Sequence, residues 1–177
     1  IVEVKKALQE AGGDAEKAII ILRKKGQEKA VKKSERRAME GVVAAYIHSN
    51  GKVGAIVKLF CETDFVARND EFKELARDLA MHITASNPKY LKPDQVPKKV
   101  IEQEKEIWIA QLEQEGKPKN IIPKALVGKE KKFREESALL TQPFVKNPDL
   151  TIGELVAEKI GKIGENIQVG DFSRFEL

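Results

Sequence analysis

The 177 residues include one cysteine, one tryptophan, two histidines and two methionines. A lone Cys61 excludes an internal disulfide and any multi-cysteine zinc site. His48 and His82 are too few for a His-rich metal centre, so neither a metal nor a cofactor is expected. The scarcity of cysteine fits a reducing compartment. No apolar run nears the roughly 20 residues that a membrane span needs. The opening Ile1-Val2-Glu3-Val4-Lys5-Lys6 lacks the apolar core of a secretory signal. The expectation is therefore a cytoplasmic protein, or an organelle-matrix protein if it is a processed organellar form. The chain does not begin with Met, which suggests truncation or processing.

Catalytic signatures are also missing. There is no G-x-x-x-x-G-K-S/T phosphate loop and no strand-linked G-x-G-x-x-G. No G-x-S-x-G elbow occurs. Gly161 to Gly164 (G-K-I-G) only punctuates a helix end. Cys61 could act as a nucleophile with His48 or His82 as base. Its apolar setting, Leu59-Phe60-Cys61 at a strand end, reads instead as a small buried hydrophobe. The carboxylates lie in charge-rich helical stretches where solvent exposure is the default, so no acid/base pair stands out. A chemical catalyst is not expected.

What is present fits a soluble domain with a small appendage: 41% hydrophobic and 34% charged residues. The net charge of +4 is uneven. Residues 1–37 hold 11 Lys and Arg against 6 Asp and Glu; the remaining 140 hold 21 against 22. A basic N-terminal segment can favour nucleic acid or an acidic protein surface, or it can be a solvated helical face.

Three segments follow along the chain. Residues 1–26 read as short helices, with Val4, Ala7, Leu8 and Ala11 on one face and Ala18, Ile19, Ile21 and Leu22 on the next. Gly12-Gly13 separates them, Asp14 caps the second, and Gly26 is expected to end it. Residues 27–39 are too polar to own a core and read as a helical linker. Residues 40–177 read as an α+β core, an antiparallel sheet covered by helices. Within it, 41–49 and 52–61 are β-rich around Asn50-Gly51, a two-residue hairpin signal in which both turn positions need positive φ. Phe72, Leu75, Ala76, Leu79, Ala80 and Ile83 give an apolar stripe for a helix over about 70–86, capped by Asn69 or Asp70. His82 lies off that stripe's centre, as a half-buried structural histidine or as a polar contact to a partner.

A second long helix is expected over about 98–114. Two shorter ones, about 120–127 and 129–140, should be separated by Gly128. Gln142 to Pro148 reads as a turn-rich loop. Thr151-Ile152-Gly153-Glu154 is a capping box opening the last helix, which Gly164 ends. A closing strand over 167–177, kinked at Gly170, should pair with the hairpin.

Between the hairpin and its helix lies E-T-D-F-V-A-R-N, Glu62 to Asn69. Phe65 there is either a core plug or a probe for another protein.

The chain resembles the elongation factor Ts family, nucleotide exchange factors for elongation factor Tu. The carrying motifs are K-K-A-L-Q-E-A-G-G-D (Lys5 to Asp14), A-I-I-I-L-R-K-K-G (Ala18 to Gly26) and C-E-T-D-F-V-A-R-N-D-E-F (Cys61 to Phe72). A-M-H-I-T-A-S-N-P (Ala80 to Pro88), L-L-T-Q-P-F-V-K (Leu139 to Lys146) and G-E-N-I-Q-V (Gly164 to Val169) complete them. Together they cover nearly the whole chain in family order.

The resemblance implies that 1–26 is a partial ubiquitin-associated-like module whose first helix is absent from this sequence. It also implies the short form of the family, with one sheet subdomain and no C-terminal helical extension. A homodimer giving a 2:2 complex with elongation factor Tu, nucleotide-free or GDP-bound, then follows. Neither direct nucleic-acid binding nor a membrane is implied.

By the same resemblance, Asp64 and Phe65 are the intrusive pair, flanked by Thr63 and Val66, with Phe65 entering an apolar pocket near the magnesium site of the GTPase domain. Val53, Gly54, His82, Val145 and Lys146 match positions touching the distal third domain. Ile1, Val2 and Lys5 match positions near the GTPase domain. A ubiquitin-associated-type adaptor and a basic nucleic-acid-binding module are the alternative readings.

Overall fold

The apolar stripe of residues 72–83 and the alternation of residues 53–61 meet in one core. In the computed structural model, which describes residues 2–177, the elements run in the order α1 (Val2–Glu10), α2 (Ala15–Lys33), β1 (Glu40–Ile47), β2 (Val53–Cys61), α3 (Asp64–Arg68) and α4 (Asp70–Ser86). Then come α5 (Lys98–Gln114), α6 (Ile122–Ser137), β3 (Pro143–Phe144), β4 (Asn147–Thr151), α7 (Ile152–Ile163) and β5 (Gln168–Glu176). This is the α+β architecture expected.

β1, β2 and β5 form an antiparallel sheet in that spatial order. On its inner face Ala55, Val57, Leu59 and Cys61 from β2 join Phe72, Leu75, Leu79 and Ile83 from α4 and Ile152, Val156 and Ile160 from α7 in one buried cluster. Each of these aliphatic or aromatic side chains contributes roughly 1.5–3 kcal/mol when fully removed from water. The closing strand carries the expected irregularity. Between the Val57–Phe172 and Leu59–Val169 pairs, one residue of β2 faces two of β5, Gly170 and Asp171.

Cap chemistry sets the helix ends. Asn69 accepts from the Glu71 amide at 2.8 Å to open α4, and Asn87 closes it in the left-handed region. Thr151 and Glu154 form the reciprocal capping box of α7, and Gly164 ends it at φ 91°.

The structure corrects four expectations. Helix α2 does not end at Gly26 but runs on to Lys33, because Gly26 packs against α7 at a close helix crossing. Gly128 does not split its segment; α6 is continuous from Ile122 to Ser137. The segment 142–148 is not only a loop, since β3 and the start of β4 lie in it and form a small antiparallel hairpin that reaches Thr151. The turn at Asn50-Gly51 is a longer one. The Gly51 amide bonds the His48 carbonyl at 2.8 Å, the His48 amide bonds the Val53 carbonyl at 2.8 Å, and only Gly51 has positive φ. Asn50 instead accepts from the Lys52 amide through its side chain, at 2.9 Å.

Helices α5 and α6 pack on each other outside the main cluster, with Trp108 edge-on to Phe133 at 5.7 Å between ring centres. Arg134 anchors the pair by donating to the carbonyls of Pro93 and Val96, each at 3.2 Å.

Candidate functional site

The segment after β2 is a short helix rather than a plain turn. Thr63 is its N-cap, accepting weakly from the Val66 amide at 3.4 Å, and Asp64 pairs with Arg68 one turn on at 3.0 Å. Ala67 is buried and Val66 packs partly on the core, so α3 is seated by its inner side. Phe65 points the other way and is 81% exposed, which removes the core-plug reading.

An isolated helix of five residues does not hold itself together. Here support comes from far along the chain. The Glu165 carboxylate accepts the amides of Glu62 and Thr63, each at 3.1 Å, and the Thr63 hydroxyl at 2.6 Å. Glu62 answers by accepting the Asn166 amide at 2.6 Å. Buried Asn166 donates from its side chain to the Arg36 carbonyl at 2.7 Å, binding the exit of α2 to the same corner. The motif G-E-N-I-Q-V thus touches the motif C-E-T-D-F. Sequence reasoning used both for the resemblance but gave Glu165 and Asn166 no role.

Cys61 is buried, and its thiol donates to the Thr63 carbonyl at 3.2 Å. Burial, with the neighbouring Glu165 carboxylate second, pushes its pKa up to about 11. It is an inert packing residue and not a nucleophile.

His82 was expected to be half-buried; it is fully buried. The Val145 amide donates to its Nδ1 at 3.3 Å, and Nε2 meets the Gln142 Oε1 at 3.0 Å. The ring is therefore a neutral imidazole with its proton on Nε2, and burial lowers its pKa despite the Gln142 bond. Depth corrects the idea of a direct surface contact. His82 instead holds the turn that presents Val145, which is exposed, and Lys146, which reaches Asp78 of α4 at 2.6 Å. Gln142 is the buried partner that sequence reasoning did not single out; it also donates to the Glu136 carbonyl at 2.7 Å.

The expected residues therefore fall at two ends of the core. Val53 and Gly54 begin β2, whereas α3 follows its ninth residue. At 3.3 Å per residue, the two ends of that strand lie about 26 Å apart. Arg174, paired with Ala55 in the sheet, donates to the Thr84 carbonyl at 2.9 Å, two residues beyond His82. Val53, Gly54, His82, Val145 and Lys146 thus lie towards one end, and Thr63, Asp64, Phe65 and Val66 stand at the other.

Val2 and Lys5 are exposed on α1. A Glu3–Lys29 ion pair ties that helix to the later half of α2, whose Lys33 bonds the Gly164 carbonyl beside Glu165. Ile1 lies outside the described residues. Among the described residues no group of His, Cys, Asp and Glu is arranged to hold a metal ion, and no helix is long and apolar enough to cross a membrane.

Comparison with known proteins extends these motifs. The profile of a family described as Elongation factor TS matches residues 3–177. A protein named Elongation factor Ts from Carboxydothermus hydrogenoformans is 55% identical over 177 residues, covering 100% of this chain and 82% of the relative. Proteins of the same name from Alkaliphilus metalliredigens and Koribacter versatilis are 52% and 50% identical over 177 residues, covering 82% and 81% of their own lengths.

Proposed function

The chain belongs to the elongation factor Ts family, and from that premise we propose that it binds elongation factor Tu and promotes GDP release by inserting Phe65 near the magnesium and nucleotide site. The observation that carries this reading is the exposure of Phe65 on a helix that is otherwise anchored. A bare aromatic ring costs solvation in the free protein and gains it back only in a partner's pocket.

The chain supplies no reacting group in this scheme. Exchange needs only tighter binding to the nucleotide-free GTPase than to the nucleotide-bound form; by linkage, nucleotide then displaces the factor by the same ratio. Burying the Phe65 ring contributes roughly 1.5–3 kcal/mol. That is small against tight nucleotide binding, so loss of magnesium coordination and a broad interface supply the remainder. The two-ended placement supports such breadth. Asp64, Phe65, Thr63 and Val66, together with Val2 and Lys5 of α1, address the GTPase domain. Val53, Gly54, Val145 and Lys146 address the third domain, with His82 supporting the last two. Ile1 belongs with Val2 by the same resemblance.

The outward face of the sheet exposes Val43, Ala45, Ile47, Ile56 and Phe175, with Ala45 opposite Ile56 and Gly54 opposite Phe175. This apolar patch supports a homodimer, and hence a 2:2 complex.

The test is stopped-flow release of a fluorescent GDP from elongation factor Tu. Acceleration by this protein that Phe65→Ala removes, with the circular dichroism melt unchanged, is the expected result. No acceleration by the unsubstituted protein would sink the assignment.

A further inference from the structure

We propose that Glu165 is a positioning residue for Phe65: its carboxylate fixes the direction in which α3 presents the ring. The inference rests on the reading of Phe65 as the probe.

The exposed ring has almost no packing of its own, so its direction comes from the backbone of α3. That backbone emerges from β2 through Glu62 and Thr63, and both amides there end on one oxygen of Glu165, at 3.1 Å each. The other oxygen takes the Thr63 hydroxyl at 2.6 Å, which turns a lone pair of that hydroxyl towards the Val66 amide and so sets the cap. Three donors thus converge on one charged acceptor, two residues before the ring.

Glu165 is itself held on both sides. Gly164 before it is in the left-handed region and receives Lys33 on its carbonyl. Asn166 after it is buried, gives its amide to Glu62 and its side chain to Arg36. The clamp therefore transmits the position of the α7–β5 corner, and of the α2 exit, to α3. Glu165 is half-buried and lies outside the main apolar cluster, so its loss frees the corner without opening the core.

The experiment measures fluorescent GDP release from elongation factor Tu with Glu165→Ala, Glu165→Gln, Phe65→Ala and the double variant Glu165→Ala/Phe65→Ala, beside amide hydrogen exchange of the free proteins. Glu165→Ala is expected to slow release about tenfold, since it removes all three bonds that fix the exit from β2. Glu165→Gln keeps an oxygen for the two amides and should recover most of the rate. The double variant should be no slower than Phe65→Ala, because the two changes act through one ring. The amides of Glu62 and Thr63 should lose protection in Glu165→Ala while those of α4 keep theirs.

If Phe65→Ala is slow and Glu165→Ala runs at the unsubstituted rate, the role of Glu165 falls and the reading of Phe65 stands. Losses that add in the double variant also overturn it, since they place Glu165 in a separate task. If Phe65→Ala runs at full speed, the reading of Phe65 falls and this inference with it.

Discussion

Gly26 and Gly161 meet where α2 crosses α7: a β-carbon built on Gly161 would stand 3.7 Å from the Gly26 Cα. Backbone faces backbone there, with no side chain between the helices. The spacing is ordinary contact for one methyl group. Gly161→Ala should therefore melt at or slightly above the unsubstituted temperature, since alanine is favoured over glycine in helices by up to about 1 kcal/mol. Gly161→Leu should lose roughly 1–3 kcal/mol through overpacking and displacement of α2. Thermal melts of the two variants check this, and a Leu variant as stable as the Ala variant would refute the close crossing.

Gly41 tests a different kind of closeness. A β-carbon there would lie 2.1 Å from the Leu59 carbonyl oxygen on the neighbouring strand. The obstacle is backbone in the centre of the sheet, so no rotamer change relieves it. Gly41→Ala should cost roughly 1–3 kcal/mol or more as β1 shifts away from β2. At about 2–4 °C per kcal/mol for a chain of this size, the melt should drop clearly. An unchanged melt would mean that β1 does not sit in this register.

These glycines mark the limit of what the sequence makes legible. The Asp70–Ser86 helix is written in local terms, a stripe with a cap at each end, and it forms as read. The three-stranded sheet follows from alternation and a turn signal. Gly26 was read as a stop because glycine weakens helices by about 1 kcal/mol; contact with α7, far along the chain, outweighs that local cost. Gly128 interrupts nothing either, and the open space beside it explains neither its presence nor its tolerance. Likewise, Phe65 stood out by its setting, but its exposure depends on how α3 seats itself. The groups that hold the site act at long range: Glu165 reaches Thr63 across 102 residues and Gln142 reaches His82 across 60. No periodicity carries such a pairing.

Cys61 offers a probe of the corner beneath Phe65. Its thiol is buried and its pKa is pushed up to about 11, so little thiolate exists near neutral pH. At about pH 7.5 a thiol reagent should label the folded protein on the order of a hundredfold more slowly than the denatured chain, whose thiol titrates near 8.5. Fast labelling of folded protein would show that the β2–α3 corner opens readily, contrary to the Glu165 clamp.

His82 gives a pH dependence with a defined sign. Burial lowers its pKa below the ordinary value of 6.5, and the Val145 amide occupies Nδ1, where a second proton would have to go. In the unfolded chain the ring takes up a proton near 6.5; in the folded protein it resists. The unfolded state therefore binds more protons below that value, and stability must fall as pH drops through it. The contribution of neutral His82 is complete above the ordinary value of 6.5 and is lost progressively as pH falls below it. Melts across this window should show the loss in the unsubstituted protein and a flatter profile in His82→Gln, which cannot titrate. Equal pH profiles for the unsubstituted protein and His82→Gln would mean that the imidazole is not confined to its neutral form.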